Sequence, residues 1–182
     1  MLRAHRPARP APAGASLTVA ARPVRCLLEA RCTRAKQSLV TRMAVTERSY
    51  AYFSHEADVG LIGRGPTLES AFEAAAEALF GVMVDLHAIR PVASVQVEFD
   101  ETDPELALVT WLNHLLAEAR VAGLVLGRFE LRRSNGHWVG QAWGERWRAD
   151  LERGVEVKGA TLTMLSVVQT DGGWEARCVV DV

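Results

Sequence analysis

Two stretches of helical periodicity, separated by one alternating stretch, set what this chain can fold into. Over 68–84, Leu68, Phe72, Ala75, Leu79 and Met83 recur at spacings of three and four, which makes one face apolar. Pro66-Thr67 stands at the entry, with Thr67 placed as the N-cap. Over 104–121 the pattern repeats in Leu108, Trp111, Leu112, Leu115 and Ala119. Asp103-Pro104 opens this second helix, with an acid at the cap and proline at the first helical position, and Gly123 stops it. Between the two, Val95, Val97 and Phe99 alternate with Ser94, Gln96 and Glu98, the period of a half-buried strand over 92–99. Each helix needs a sheet on which to bury its apolar stripe.

The strands are supplied at both ends. Tyr50 to Ser54 and Val59 to Arg64 are short β-type runs before the first helix. After the second helix, Leu124 to Arg133 and His137 to Trp143 flank Ser134-Asn135-Gly136, a hairpin signal. Gly144 to Gly154 is polar and reads as a loop. Val155 to Gln169 reads as one long strand, paired with Trp174 to Val180 across Asp171-Gly172-Gly173. The expectation is an α+β domain, a mostly antiparallel or mixed sheet with two amphipathic helices packed on one face. The many hairpins exclude a doubly wound parallel sheet.

Charge divides the chain. Residues 1–42 carry nine Lys/Arg and one acid, Glu29, a net +8, while the remaining 140 residues carry a net −9. The first segment, rich in Arg, Ala and Pro, reads as a disordered basic extension. It is either sequence upstream of a true start at Met43, an organelle transit segment, or a basic arm. The domain is then 43–182, and its negative field repels nucleic acid. No apolar run approaches the roughly 18 residues of a membrane span. Cys26, Cys32 and Cys178 form neither a disulfide framework nor a zinc pattern, which fits a reducing, intracellular compartment.

The densest chemistry is His55-Glu56-Ala57-Asp58, which leads into a glycine-punctuated strand. The last strand brings a second acid, Asp181, followed by the terminal carboxylate of Val182. If these groups meet, they form an oxygen-only set suited to Ca²⁺, Mg²⁺ or Mn²⁺; if not, they are solvated acids at strand ends. His55 and Glu56 read as supporting residues. Glu156 and Lys158 share one face of the expected strand, either as a solvent ion pair or as functional groups. Trp147, inside Glu145-Arg146-Trp147-Arg148, is a candidate partner contact. Gly63-Arg64-Gly65-Pro66-Thr67 reads as a tight turn rather than a phosphate cradle. No Gly-x-Ser-x-Gly, P-loop or paired Cys and His is present, so no catalytic nucleophile is assigned.

His55-Glu56-Ala57-Asp58-Val59-Gly60 and Gly63-Arg64-Gly65-Pro66-Thr67-Leu68-Glu69-Ser70-Ala71-Phe72 together resemble the opening of the archease family. Further similar pieces follow in order: Met83-Val84-Asp85, Trp111-Leu112-Asn113, Arg128-Phe129-Glu130, Ala142-Trp143-Gly144-Glu145, Glu156-Val157-Lys158 and Val180-Asp181-Val182. The resemblance covers about residues 50–182. It implies a cytoplasmic accessory protein, not itself an enzyme. Such a protein activates the tRNA-splicing RNA ligase that joins 3′-phosphate or 2′,3′-cyclic-phosphate ends, by promoting its guanylylation and repeated turnover. It further implies a divalent cation, Ca²⁺ first, on Asp58, Asp181 and Val182. Glu145, Glu156 and Lys158 become candidates for ligase contact, and RNA is met only through the ligase. Where the family commonly reads Thr-Tyr-His, this chain has Thr161-Leu162-Thr163, so no imidazole role carries over. The competing readings are an independent metal-dependent phosphodiesterase and an RNA-processing chaperone or binding module.

Overall fold

The structure is a computed structural model that describes residues 47–182. The expected basic extension 1–42 and the alternative start at Met43 lie outside the described residues. Helix α1, Leu68–Met83, begins where its cap chemistry places it. The Thr67 hydroxyl accepts from Ser70 N–H and the Ser70 hydroxyl accepts from Thr67 N–H, a reciprocal capping box. Helix α2, Pro104–Ala122, is capped by Asp103, whose carboxylate accepts from Glu105 and Leu106 N–H. Gly123 closes it in the left-handed conformation, φ 64°.

Among the described residues eight strands accompany the helices: β1 Ser49–His55, β2 Asp58–Gly65, β3 Ala93–Asp100, β4 Leu124–Ser134, β5 His137–Arg146, β6 Gly159–Ala160, β7 Ser166–Thr170 and β8 Gly173–Asp181. The α+β class holds, but the strands form two sheets rather than one. The first runs β1-β2-β8-β6, with β7 also paired to β8, and the second runs β3-β5-β4. Every pairing is antiparallel. Two further expectations are corrected. The stretch 155–169 is not one strand, because residues 161–165 leave the ladder between β6 and β7. The loop expected from Gly144 starts later, since β5 continues to Arg146.

Helix α1 packs on β2, β8 and β1 of the first sheet and on β4 of the second. Its buried residues therefore wrap most of its circumference: Ala71, Phe72, Ala74, Ala75, Ala76, Ala78, Leu79 and Phe80. The alanines admit close neighbours. A Cβ on Gly63 of β2 would strike the Ala71 carbonyl and the Ala75 backbone, so this strand lies directly on the helix. Helix α2 packs on β3 and β4 and, at the other sheet, on β6, β7 and β8. Trp138 stacks between Phe72 and Phe99, with ring centroids 5.2 and 5.8 Å away. The fully buried Trp111 donates its indole N–H to the Phe72 carbonyl, joining α2 to α1. Cys178 is a free, buried thiol in β8, and burial pushes its pKa up to about 12. No helix among the described residues is long and apolar enough to cross a membrane.

Candidate functional site

The β1–β2 hairpin turns on Glu56-Ala57, with Glu56 in the left-handed conformation at φ 48° and His55 paired to Asp58. Beyond the turn, β2 lies against β8 in a register that sets Val59 opposite Val180. One residue further out on each strand stand Asp58 and Asp181. The two acids that are distant in sequence are thus neighbours at the strand-end edge of the first sheet, where β2 begins and β8 ends, because cross-strand partners point to the same face. On the far side of β8, Gly159 of β6 pairs with Asp181.

This edge is held from below by helix α2. Asn113 clamps β6 with both ends of its amide: Nδ2 donates to the Ala160 carbonyl (3.1 Å) and Oδ1 accepts from Ala160 N–H (2.8 Å). Seven residues along, on the same helical face, Arg120 Nη2 donates to the Val157 and Lys158 carbonyls at 2.7 and 3.0 Å. Lys158 is fixed in turn. Its N–H donates to the Asp181 carbonyl (2.8 Å), and its ammonium lies 2.8 Å from the Val182 carbonyl oxygen and 3.9 Å from Asp181 Oδ1. Asn113 and Arg120 were not singled out from the sequence. Their signal was two polar residues on one stripe of an otherwise apolar helix face.

The donor chemistry at the edge is two carboxylates and the main-chain oxygen of Val182, which fits a hard divalent cation. His55 Nδ1, across the hairpin from Asp58, is buried and has no hydrogen-bond partner. Among the described residues no three His, Cys, Asp or Glu side chains converge as a metal site, so the side chains supply at most two of the ligands such a cation takes. The Lys158 ammonium offsets part of the local negative charge.

The other expected residues lie elsewhere. Glu145 is in the second sheet and is only 2% exposed, so it is not a surface contact. Its carboxylate accepts from the main-chain N–H and side chain of Arg90 and from Arg148. The Arg90 hydrogen bonds first, and then Arg148, hold its pKa down at about 2. Glu156 and Lys158 do not share a strand face, because residues 155–158 are outside any strand. Glu156 is exposed and borders a cavity of about 320 Å³ whose walls include Phe80, Leu116, Trp147 and Arg153. Trp147 is part-buried, with the Arg153 guanidinium 4.4 Å from its ring.

Asn113→Ala is expected to cost about 1–2 kcal/mol, since it leaves both polar groups of Ala160 without their partner. The same change should speed amide hydrogen exchange at Ala160 and not in the β4–β5 hairpin, which exchange monitored by NMR resolves.

A sequence model described as "Archease protein family (MTH1598/TM1083)" matches residues 50–182. A protein named "Protein archease" from Pyrococcus furiosus is 35% identical over 141 residues, covering 74% of this chain and 99% of the relative. One of the same name from Methanosarcina barkeri is 33% identical over 146 residues, covering 77% and 100%. The solution structure of Methanobacterium thermoautotrophicum protein 1598 superimposes with a TM-score of 0.62 at 30% identity, over 73% of this chain and 98% of that one.

Proposed function

The chain belongs to the archease family, and from that premise we propose that it is a cytoplasmic, non-catalytic activator of a tRNA-splicing RNA ligase. The ligase is the kind that seals 3′-phosphate or 2′,3′-cyclic-phosphate ends, and the activator promotes its guanylylation and multiple turnover. The observation that carries this reading is the acidic edge. Asp58 and Asp181 are brought together by the β2–β8 register, and the neighbouring segment is fixed by Asn113 and Arg120.

Asp58, Asp181 and the main-chain oxygen of Val182 would hold a divalent cation, with Ca²⁺ the best match to this donor set. The bound cation would supply the positive charge that lets two carboxylates share one strand end. The remaining work is done by the chain itself. The sheet register holds the acids at a fixed spacing, α2 fixes the Lys158 segment, and the edge faces outward toward a cationic cleft on the ligase. The net −9 of residues 43–182 favours such a cleft and disfavours RNA as the direct partner.

Guanylylation of a cognate ligase is the measurement. Asp58→Ala and Asp181→Ala should each lower Ca²⁺ affinity by about tenfold or more, read by isothermal titration. Each should also lower the maximal guanylylation rate, with the unfolding midpoint measured without divalent cation kept near that of the parent. Full stimulation by both variants would sink the reading.

A further inference from the structure

The edge that carries the acids continues into an excursion that the function above does not use. Ala160 pairs with Val180 and Ser166 pairs with Arg177, so five residues, 161–165, stand opposite only two, Cys178 and Val179. This is a bulge with three extra residues, and it is rigidly tied. Thr161 donates from both its N–H and its hydroxyl to the Val179 carbonyl, at 2.9 Å each. Val179 N–H donates to the Thr163 carbonyl, and Thr163 N–H donates to the Thr161 hydroxyl. The ladder of β8 therefore remains satisfied while the chain bends outward.

What the bulge presents is apolar. Leu162 is 64% exposed and Met164 49%. Met164 also sits at φ 50°, a left-handed conformation that an unbranched non-glycine residue adopts only at a cost. Leu165, by contrast, turns back and packs on the core. Two large apolar side chains on a hydrogen-bonded platform, one of them strained, have no role within the described fold. Along the same strand edge lie Gly159, paired to Asp181, and Lys158, which contacts Val182. The apolar bulge thus begins two residues after Gly159, the strand partner of Asp181, at the same end of β8.

We propose that Leu162 and Met164 are the anchor by which this edge docks on its protein partner, entering an apolar recess that borders a cationic cleft. The proposal rests on the reading above that the partner is the RNA ligase. It divides the work of the edge. The acids act on the partner once it is engaged, and the bulge sets how tightly it is engaged. Anchors of this kind account for most of the affinity of an interface, whereas solvated rim charges contribute little.

The test is the rate of ligase guanylylation as a function of the concentration of the full chain. Leu162→Ser/Met164→Ser should raise the concentration for half-maximal stimulation by roughly tenfold while leaving the maximum unchanged. Asp58→Ala should do the reverse and lower the maximum. Met164→Asn is the folding control, because asparagine tolerates the left-handed conformation. It should keep or raise the unfolding midpoint and still weaken half-maximal stimulation several-fold. A parent chain that stimulates, with a double variant of equal potency, overturns the anchor and leaves the function standing. A parent chain that never stimulates the ligase overturns both. Self-association lost in the double variant, with ligase potency intact, assigns the knob to a second copy and also overturns the proposal.

Discussion

Trp111→Ala is expected to lower the unfolding midpoint by about 15 °C, which corresponds to about 4 kcal/mol. The indole is fully buried, and its loss opens a void bounded by three elements at once. Its N–H bridges α2 to the Phe72 carbonyl of α1. Its ring lies against Gly140 of β5, where the missing side chain makes room for it. The neighbours cannot collapse into the space: Phe72 is locked in the stack with Trp138 and Phe99, and the β5 backbone is paired on both sides. Trp111→Phe should recover about half of the loss, because it refills most of the volume without the hydrogen bond. Thermal denaturation followed by circular dichroism reads both, and an unchanged midpoint for the alanine variant would remove Trp111 from the centre of the core.

The second large effect concerns Glu145 and has a pH signature. Its carboxylate is buried, and Arg90 and Arg148 both donate to it. It thereby staples the segments on either side of Arg90 and Arg148 to the end of β5, above the small cluster of Val84, Val125 and Leu151. Its folded pKa of about 2 is below its ordinary value of 4.5, so between those values the folded state binds fewer protons than the unfolded one. The stabilisation is therefore complete above about pH 4.5 and is lost as pH falls toward 2. Glu145→Gln should lower the midpoint by several degrees at pH 7, because it leaves two guanidinium groups facing a neutral amide. The gap between parent and variant should close as pH falls through that window. Parallel curves across it would show that the charge is not what holds the staple.

Local chemistry made much of this fold legible, and non-local pairing hid the rest. The caps at Thr67 and Asp103, the stop at Gly123 and the turn around Asn135-Gly136 are decided by neighbouring residues, and each stands where the sequence put it. The division into two sheets is a matter of which strands meet, and alternation alone does not encode it. The all-round burial of α1 was masked by its alanines, which carry too little apolar signal to widen a stripe. The bulge at 161–165 is invisible to periodicity because its residues still look strand-like: Leu162 and Met164 fit a ladder they do not join. Asp58 opens β2 and Asp181 closes β8, so the places of both acids at strand ends could be read from the sequence. Glu145 was a candidate for ligase contact, yet it is buried, because its partner Arg90 comes from a loop far back in the chain whose return to the sheet leaves no local trace.

The β2–β8 pairing joins residues more than a hundred positions apart, such as Leu61 and Cys178, whereas β4 and β5 are joined by a tight turn. Closing so long a loop is entropically costly before any contact rewards it, so this ladder is expected to form more slowly than the hairpin, which stopped-flow refolding with probes in each sheet would read. The β4–β5 hairpin can form early, within its own sequence. Asp58 and Asp181 meet only when the long-range ladder has formed at their end. The acid pair thus depends on this long-range ladder, and a chain that presents it has already joined its two distant ends.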